Sequence, residues 1–161
     1  MGAFYGSVQV RSDDRESVLD VVDSIAKRKH RFLVSPVLDG WIGIYPNHNG
    51  QDDKVGKAIA KQLACDVIQL VVHDDDVFYY WLYRGGKLAD KYSSRPDYFE
   101  PLTNQAKARW KRKPDRLVGL SSQSLDQSQL EGLLAQGRDQ PLFASDSLQQ
   151  FARLFNIPNA L

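Results

Sequence analysis

Two of the three histidines stand beside carboxylates, at the ends of stretches that read as strands. His48 lies in Tyr45-Pro46-Asn47-His48-Asn49-Gly50-Gln51-Asp52, and His73 opens His73-Asp74-Asp75-Asp76. Imidazole and carboxylate together are donors for a divalent cation, which a hydrolase or nuclease uses to activate water. His48, His73, Asp74 and Asp76 are therefore the candidate metal ligands. His48 and His73, with Asp52 or Asp74, are the candidate catalytic set. A plainer reading competes. Consecutive residues of a strand or tight turn point in different directions. The EF-hand spacing is missing, and aspartate favours turns for conformational reasons.

The His48 loop has a second use. Tyr45, Asn47 and Asn49 are candidate binding residues, because the loop is rich in donors and acceptors and leads to a helix start, where free N–H groups favour an anion. Its plain reading is a strand-to-helix loop, with Asx turns at Asn47 and Asn49 and a positive φ at Gly50. No Gly-rich phosphate fingerprint accompanies it.

Phe78-Tyr79-Tyr80-Trp81-Leu82-Tyr83 is the most aromatic stretch. Strand alternation puts Phe78, Tyr80 and Leu82 on one face and Tyr79, Trp81 and Tyr83, with Val77, on the other. One set is expected in the core. The other is expected to line a groove, meet a partner or lie beneath C-terminal helices. Tyr79, Trp81 and Tyr83 are candidate binding residues because such side chains bury area while keeping a polar handle. Arg95 and Asp97 are two more. Arg95 has the chemistry to read a carboxylate or phosphate, and the plain reading pairs it with Asp97 across a Pro-containing turn.

Residues 105–116 hold six basic residues and one acid, Asp115, so they carry +5 in a chain of net +1 and leave −4 elsewhere. Lys107, Arg109, Lys111, Arg112 and Lys113, with Trp110 to stack on a base, are the candidate nucleic-acid contacts. The plain reading is a solvated basic helix with Trp110 anchored on the core. Nucleophilic catalysis finds little support: there is no Gly-x-Ser-x-Gly elbow. Cys65 reads as a small buried thiol without a base. No zinc-type Cys/His spacing is present, and no cofactor is expected.

Patterning supplies the scaffold for these groups. Phe4–Arg11 alternates as a half-buried strand. Asp13 with Glu16 forms a capping box for an amphipathic helix over 14–27. Phe32–Val34 and Gly40–Tyr45 read as strands joined through Leu38-Asp39-Gly40. Asp52 or Asp53 caps a helix bearing Val55, Ala58, Ile59 and Leu63. Asp66–His73, Val77–Arg84 and Lys87–Tyr92 form a three-stranded meander, the first strand buried on both faces. Beyond it come a short helix at 106–113, a helix at 124–136 with Leu130, Leu133 and Leu134 inward, and a last helix capped by Ser145 or Asp146 and stopped by Asn156 and Pro158. The apolar end, 157–161, is expected to dock or to mark a boundary within a longer chain.

The order β-α-β-β-α-β-β-β followed by helices predicts an α+β fold. Two helices cover one face of a largely antiparallel sheet. Residues 1–99 form the sandwich core and 100–161 a helical extension packed on it, one domain overall. A single cysteine fits a reducing, cytoplasmic setting, and no signal peptide or membrane span is expected. The small net charge argues against whole-molecule attraction to nucleic acid. The expected function is a non-catalytic, immunity-like or regulatory protein-binding module. Its aromatic strand and acidic turns (Asp13-Asp14, Asp52-Asp53, Asp74-Asp75-Asp76) would meet another protein, a basic one. A small metal-dependent hydrolase or nuclease is the alternative, and nucleic-acid binding through 105–116 the second.

Overall fold

The computed structural model describes residues 2–26, 30–48, 50–111, 113–121, 125–136, 141 and 143–160. Strands β1 (Tyr5–Arg11), β2 (Phe32–Val34), β3 (Trp41–Pro46), β4 (Val67–His73), β5 (Val77–Arg84) and β6 (Lys87–Ser93) form one antiparallel sheet in the order β2-β3-β1-β4-β5-β6. The fold is α+β.

Helices α1 (Arg15–Ile25) and α2 (Lys54–Gln62) each join two strands that flank a third. The first links β1 to β2 around β3, and the second links β3 to β4 around β1. Both cover the same face, hereafter the helix face. There Val18, Val22, Ile59 and Ala60 pack on Val8, Val10, Ile44 and Val67. The opposite, tail face is closed by α4 (Pro114–Leu117), α5 (Gln127–Leu133) and α6 (Ala144–Leu154). Leu117, Leu130, Leu134, Leu148 and Phe151 there meet Phe78, Tyr80, Leu82 and Tyr92 in the larger core cluster. A fifth-strand alternation read correctly from sequence thus sends Phe78, Tyr80 and Leu82 to one side and Tyr79, Trp81 and Tyr83 to the other.

Local chemistry explains the turns. Asp39 and Gly40, and Gly85 and Gly86, have positive φ, the backbone that two-residue hairpin turns require; Asp74 and Asp75 share it in the three-residue β4–β5 loop. The 66–93 meander follows, with Val67 opposite Tyr83, Val72 opposite Phe78 and Tyr80 opposite Tyr92.

Several local expectations need correction. The cap of α1 is Asp14, which accepts the Ser17 amide at 3.0 Å, rather than Asp13. The expected half-burial of β1 fails because the chain end covers its second face. Ser7 and Gln9 are buried, and the Gln9 amide donates to the Asn159 carbonyl at 2.8 Å. Ile157 and Ala160 are buried as well, so the tail docks. Neither Ser145 nor Asp146 caps α6. Its first turn is capped from 70 residues away, where Asp75 accepts Ala144 N at its carbonyl (2.9 Å) and Ser145 N at its carboxylate (2.8 Å). The basic helix expected at 106–113 is α3, Asn104–Ala108, and Trp110 follows it in a turn. The 124–136 helix shortens to Gln127–Leu133; Ser124 lies outside the described residues. Among the described residues no helix is long and apolar enough to cross a membrane.

Candidate functional site

Helix α2 covers the sheet only from its own first turn onward. Beyond that turn, the helix face of β4, β5 and β6 is left to loops, and a cavity of about 540 Å³ opens there. Its floor is the outward set of the aromatic strand, Tyr79 and Trp81. One side is the loop into α2, with His48, Gly50, Gln51, Asp52, Asp53 and Val55. The other is the segment after β6, with Ser93, Arg95, Pro96 and Phe99, and then Trp110; His73 closes one end.

The aromatic walls meet edge to face. Tyr79 and Trp81 are 5.1 Å apart at 89°, Tyr79 and Phe99 6.5 Å at 88°, and Trp81 and Trp110 6.1 Å at 68°. Phe99 is 63% exposed although it packs on His73, with ring centroids 4.8 Å apart. Such an exposed ring on a cavity rim is a surface that solvent disfavours.

Two glutamines build the loop side. Gln69 is the lone amide in the apolar run of β4, and its side chain is buried. It accepts the Gly56 amide at 2.9 Å and donates to the carbonyls of Gly50 at 2.9 Å and Asp52 at 2.5 Å. A Cβ on Gly56 would come within 2.6 Å of the Gln69 oxygen, so this close approach needs glycine. Gln51 donates to the carbonyls of Tyr5 (3.1 Å) and Val72 (3.3 Å), which fixes its amide orientation. Its oxygen therefore accepts from His73 Nδ1, 2.8 Å away, while the Tyr79 hydroxyl donates to the Gln51 backbone carbonyl at 3.0 Å and lies 3.3 Å from the side-chain oxygen. Nδ1 of His73 carries the proton in that arrangement. Neither glutamine stood out in the sequence, although an amide inside Val67-Ile68-Gln69-Leu70-Val71-Val72 is a legible signal: a polar group in a doubly buried strand needs partners.

Burial lifts the Tyr79 hydroxyl to about 12, with the Asp52 charge adding to it. Burial, then Asp53, also raises Tyr83, whose hydroxyl lies 3.4 Å from Asp53 Oδ2. Both phenols stay protonated near neutral pH. Burial pushes Asp52 upward, but the Lys54 ammonium and amide, and the charge of His48, outweigh it and hold the carboxyl below its usual range.

The predicted site residues divide. His48, His73, Tyr79, Trp81, Arg95 and Trp110 come together around the cavity. His48 and His73 share it but keep separate company. The His48 ring stacks edge-on with His30 at 4.7 Å, and its Nδ1 lies 3.1 Å from Asn47 Oδ1. His73 packs on Phe4 and Phe99. Asn47 also accepts the Arg31 amide, tying the loop to the start of β2. Tyr45 points to the tail face and donates to the Asn159 carbonyl. Asn49 and Arg112 lie outside the described residues.

The three aspartates of the β4–β5 turn diverge. Asp74 accepts the Gly2 amide at 2.8 Å, Asp75 caps α6, and Asp76 takes Arg95 at 3.4 Å and the Tyr98 hydroxyl at 3.2 Å. Arg95 therefore does not pair with Asp97, which is bound by Lys107 at 2.5 Å. Among the described residues no three His, Cys, Asp or Glu side chains gather where a metal ion would sit. The described cations of the basic segment have different surroundings. Lys107 is held by Asp97, Lys113 approaches Asp90 at 3.8 Å, and Trp110 leans on Trp81 with Lys91 Nζ 4.0 Å from its ring. Arg109 and Lys111 are exposed. Comparison with protein-family models, curated proteins and solved structures finds no match to this chain.

Proposed function

We propose that this is a non-catalytic protein-binding module, and that it takes a group of its partner into the aromatic cavity beside α2. One observation carries the reading. Trp81, on the strand richest in aromatics, is half-buried at the floor of an open cavity, which Tyr79 also lines although it is only 5% exposed. Concave sites of this size with aromatic walls and a few fixed polar groups are typical places for recognition. The polar groups support a binding role. Gln51, His73 and Tyr79 are spent on each other, and the phenols hold their protons too tightly to act as nucleophiles. Burial, then Asp66, raises the Cys65 thiol too, which keeps it unreactive.

Site-specific photocrosslinking tests this. A benzoylphenylalanine placed at Phe99 should trap one discrete protein in the native cell, and Trp110→Ala should abolish the product. The same crosslinker at Leu33, exposed on the distant edge strand β2, should trap nothing specific. No discrete adduct at Phe99, or equal adducts at both positions, refutes the reading.

The presence of His48 and His73 on one cavity also favours a second reading, metal-dependent hydrolysis. It predicts that zinc or manganese broadens or shifts both imidazole resonances together. Response of only one ring, or neither, removes it.

A further inference from the structure

We infer that the group admitted to the cavity is a guanidinium, from an arginine side chain of the protein partner. This rests on the binding reading above and names its ligand chemistry. Trp81, Trp110 and Phe99 present rings around one space, with Tyr79 packed edge-to-face against Trp81 and Phe99 beneath them. In such a box a cation meets the negative face of at least one ring from most approaches. Trp110 already shows the preference, since Lys91 sets its ammonium 4.0 Å from that ring.

Charge at the rim points the same way. The lining carries Asp52, Asp53 and Arg95 as its formal charges. Lys54 occupies Asp52 at 2.8 Å, and Arg95 is bridged to Asp76. Among the described residues Asp53 forms no salt bridge, and it is half-buried at the mouth; its contact from Tyr83 is long, at 3.4 Å. The charges of Lys54 and Lys91 face Asp53 without closing an ion pair, so an incoming cation competes with Lys91 for this carboxylate.

An anion fits the start of α2 poorly. Three of its early amides are already bonded: Lys54 N to Asp52 Oδ1, Gly56 N to Gln69 and Lys57 N to the Asp53 carbonyl. Guanidinium suits the space better than ammonium. It is planar, stacks on an indole and offers a forked edge to a carboxylate, and it sheds its hydration more readily.

The test uses three capped tripeptides, acetyl-Gly-X-Gly-amide, with X arginine, lysine or citrulline, titrated against the full chain by tryptophan fluorescence and calorimetry. Citrulline keeps the shape of arginine and removes its charge. Arginine should bind about tenfold more tightly than citrulline, with lysine between them. Asp53→Asn should bring arginine down to the citrulline level, with circular dichroism verifying its fold. Lys91→Ala should strengthen arginine binding several-fold, because it frees a face of Trp110 and removes a like charge. Equal binding of arginine and citrulline overturns the cation inference while leaving a binding cavity in place. Failure of all three peptides overturns it too, and the Phe99 crosslink then decides separately whether the cavity binds a partner.

Discussion

The two faces of the sheet use the same aromatic strand in opposite ways. On the tail face, Phe78 and Tyr80 are sealed beneath α6 with Phe151 and Tyr92, and the rings overlap at 5.3–6.3 Å. On the helix face, Tyr79 and Trp81 line a cavity instead of meeting a helix, Tyr79 nearly buried and Trp81 half-buried. Alternating residues of β5 are therefore sealed in a core on one side and line a cavity on the other. An aromatic side chain is a core residue or a binding residue according to what the rest of the chain places over it.

The sharpest way to break this contrast is to truncate matched rings on each side. Phe151→Ala should cost about 3–5 kcal/mol in denaturant unfolding, since the ring is fully buried and cannot be replaced by collapse of its neighbours. A loss under about 1 kcal/mol would mean that the tail face is not a tight core. Next in size, Gln69→Ala should cost about 2–3 kcal/mol, because the Gly56 amide and the Gly50 and Asp52 carbonyls lose their buried partner. It should also loosen the cavity wall, so ligand affinity and stability fall together.

A smaller effect distinguishes the carboxylates of the two faces by pH. Asp90, on the tail side of β6, has a side chain with no exposure; Tyr80 donates to its Oδ2 at 2.9 Å, while Oδ1 has only Lys113 at 3.8 Å. Burial outweighs the Tyr80 hydroxyl, the Lys91 amide and the charges of Lys113 and Arg116, so its pKa is raised. The folded protein then keeps a proton over a window just above the ordinary carboxylate range, where the unfolded chain has lost it. Stability from this group falls as pH rises through that window. Asp90→Asn should flatten that part of the stability profile, measured by thermal unfolding; an unchanged slope would show that Asp90 is not buried as described. Smallest of all, Phe99→Ala should leave stability within about 0.5 kcal/mol, because the ring is mostly exposed, yet weaken partner binding about tenfold.

What the sequence made legible was local. Asp39-Gly40 and Gly85-Gly86 fix their turns through positive φ, and the alternation across 77–83 assigns each side chain to a face. The identity of the helix caps was half legible: Asp14 replaces its neighbour Asp13, an error of one residue in a run of two equal side chains. What escaped was long-range. Nothing near Asp75 announces that it caps a helix 70 residues later, and nothing near Arg95 announces Asp76 rather than the adjacent Asp97. The cavity draws on four separated stretches, around 48–55, 73–81, 93–99 and 110. Their convergence depends on where α2 begins over the sheet and on the return of the chain after β6, which hydrophobic periodicity does not encode. The sequence places His48 and His73 beside strand ends, and the sheet order sets them around one space.

The three tryptophans supply a built-in comparison of the two faces. Trp81 and Trp110 line the cavity, whereas Trp41 is buried in the tail-face cluster. In an NMR titration with the arginine tripeptide, the indole N–H resonances of Trp81 and Trp110 should move together and saturate, while that of Trp41 stays still. Movement of Trp41 alone, of all three alike, or of none would contradict a binding cavity on the helix face.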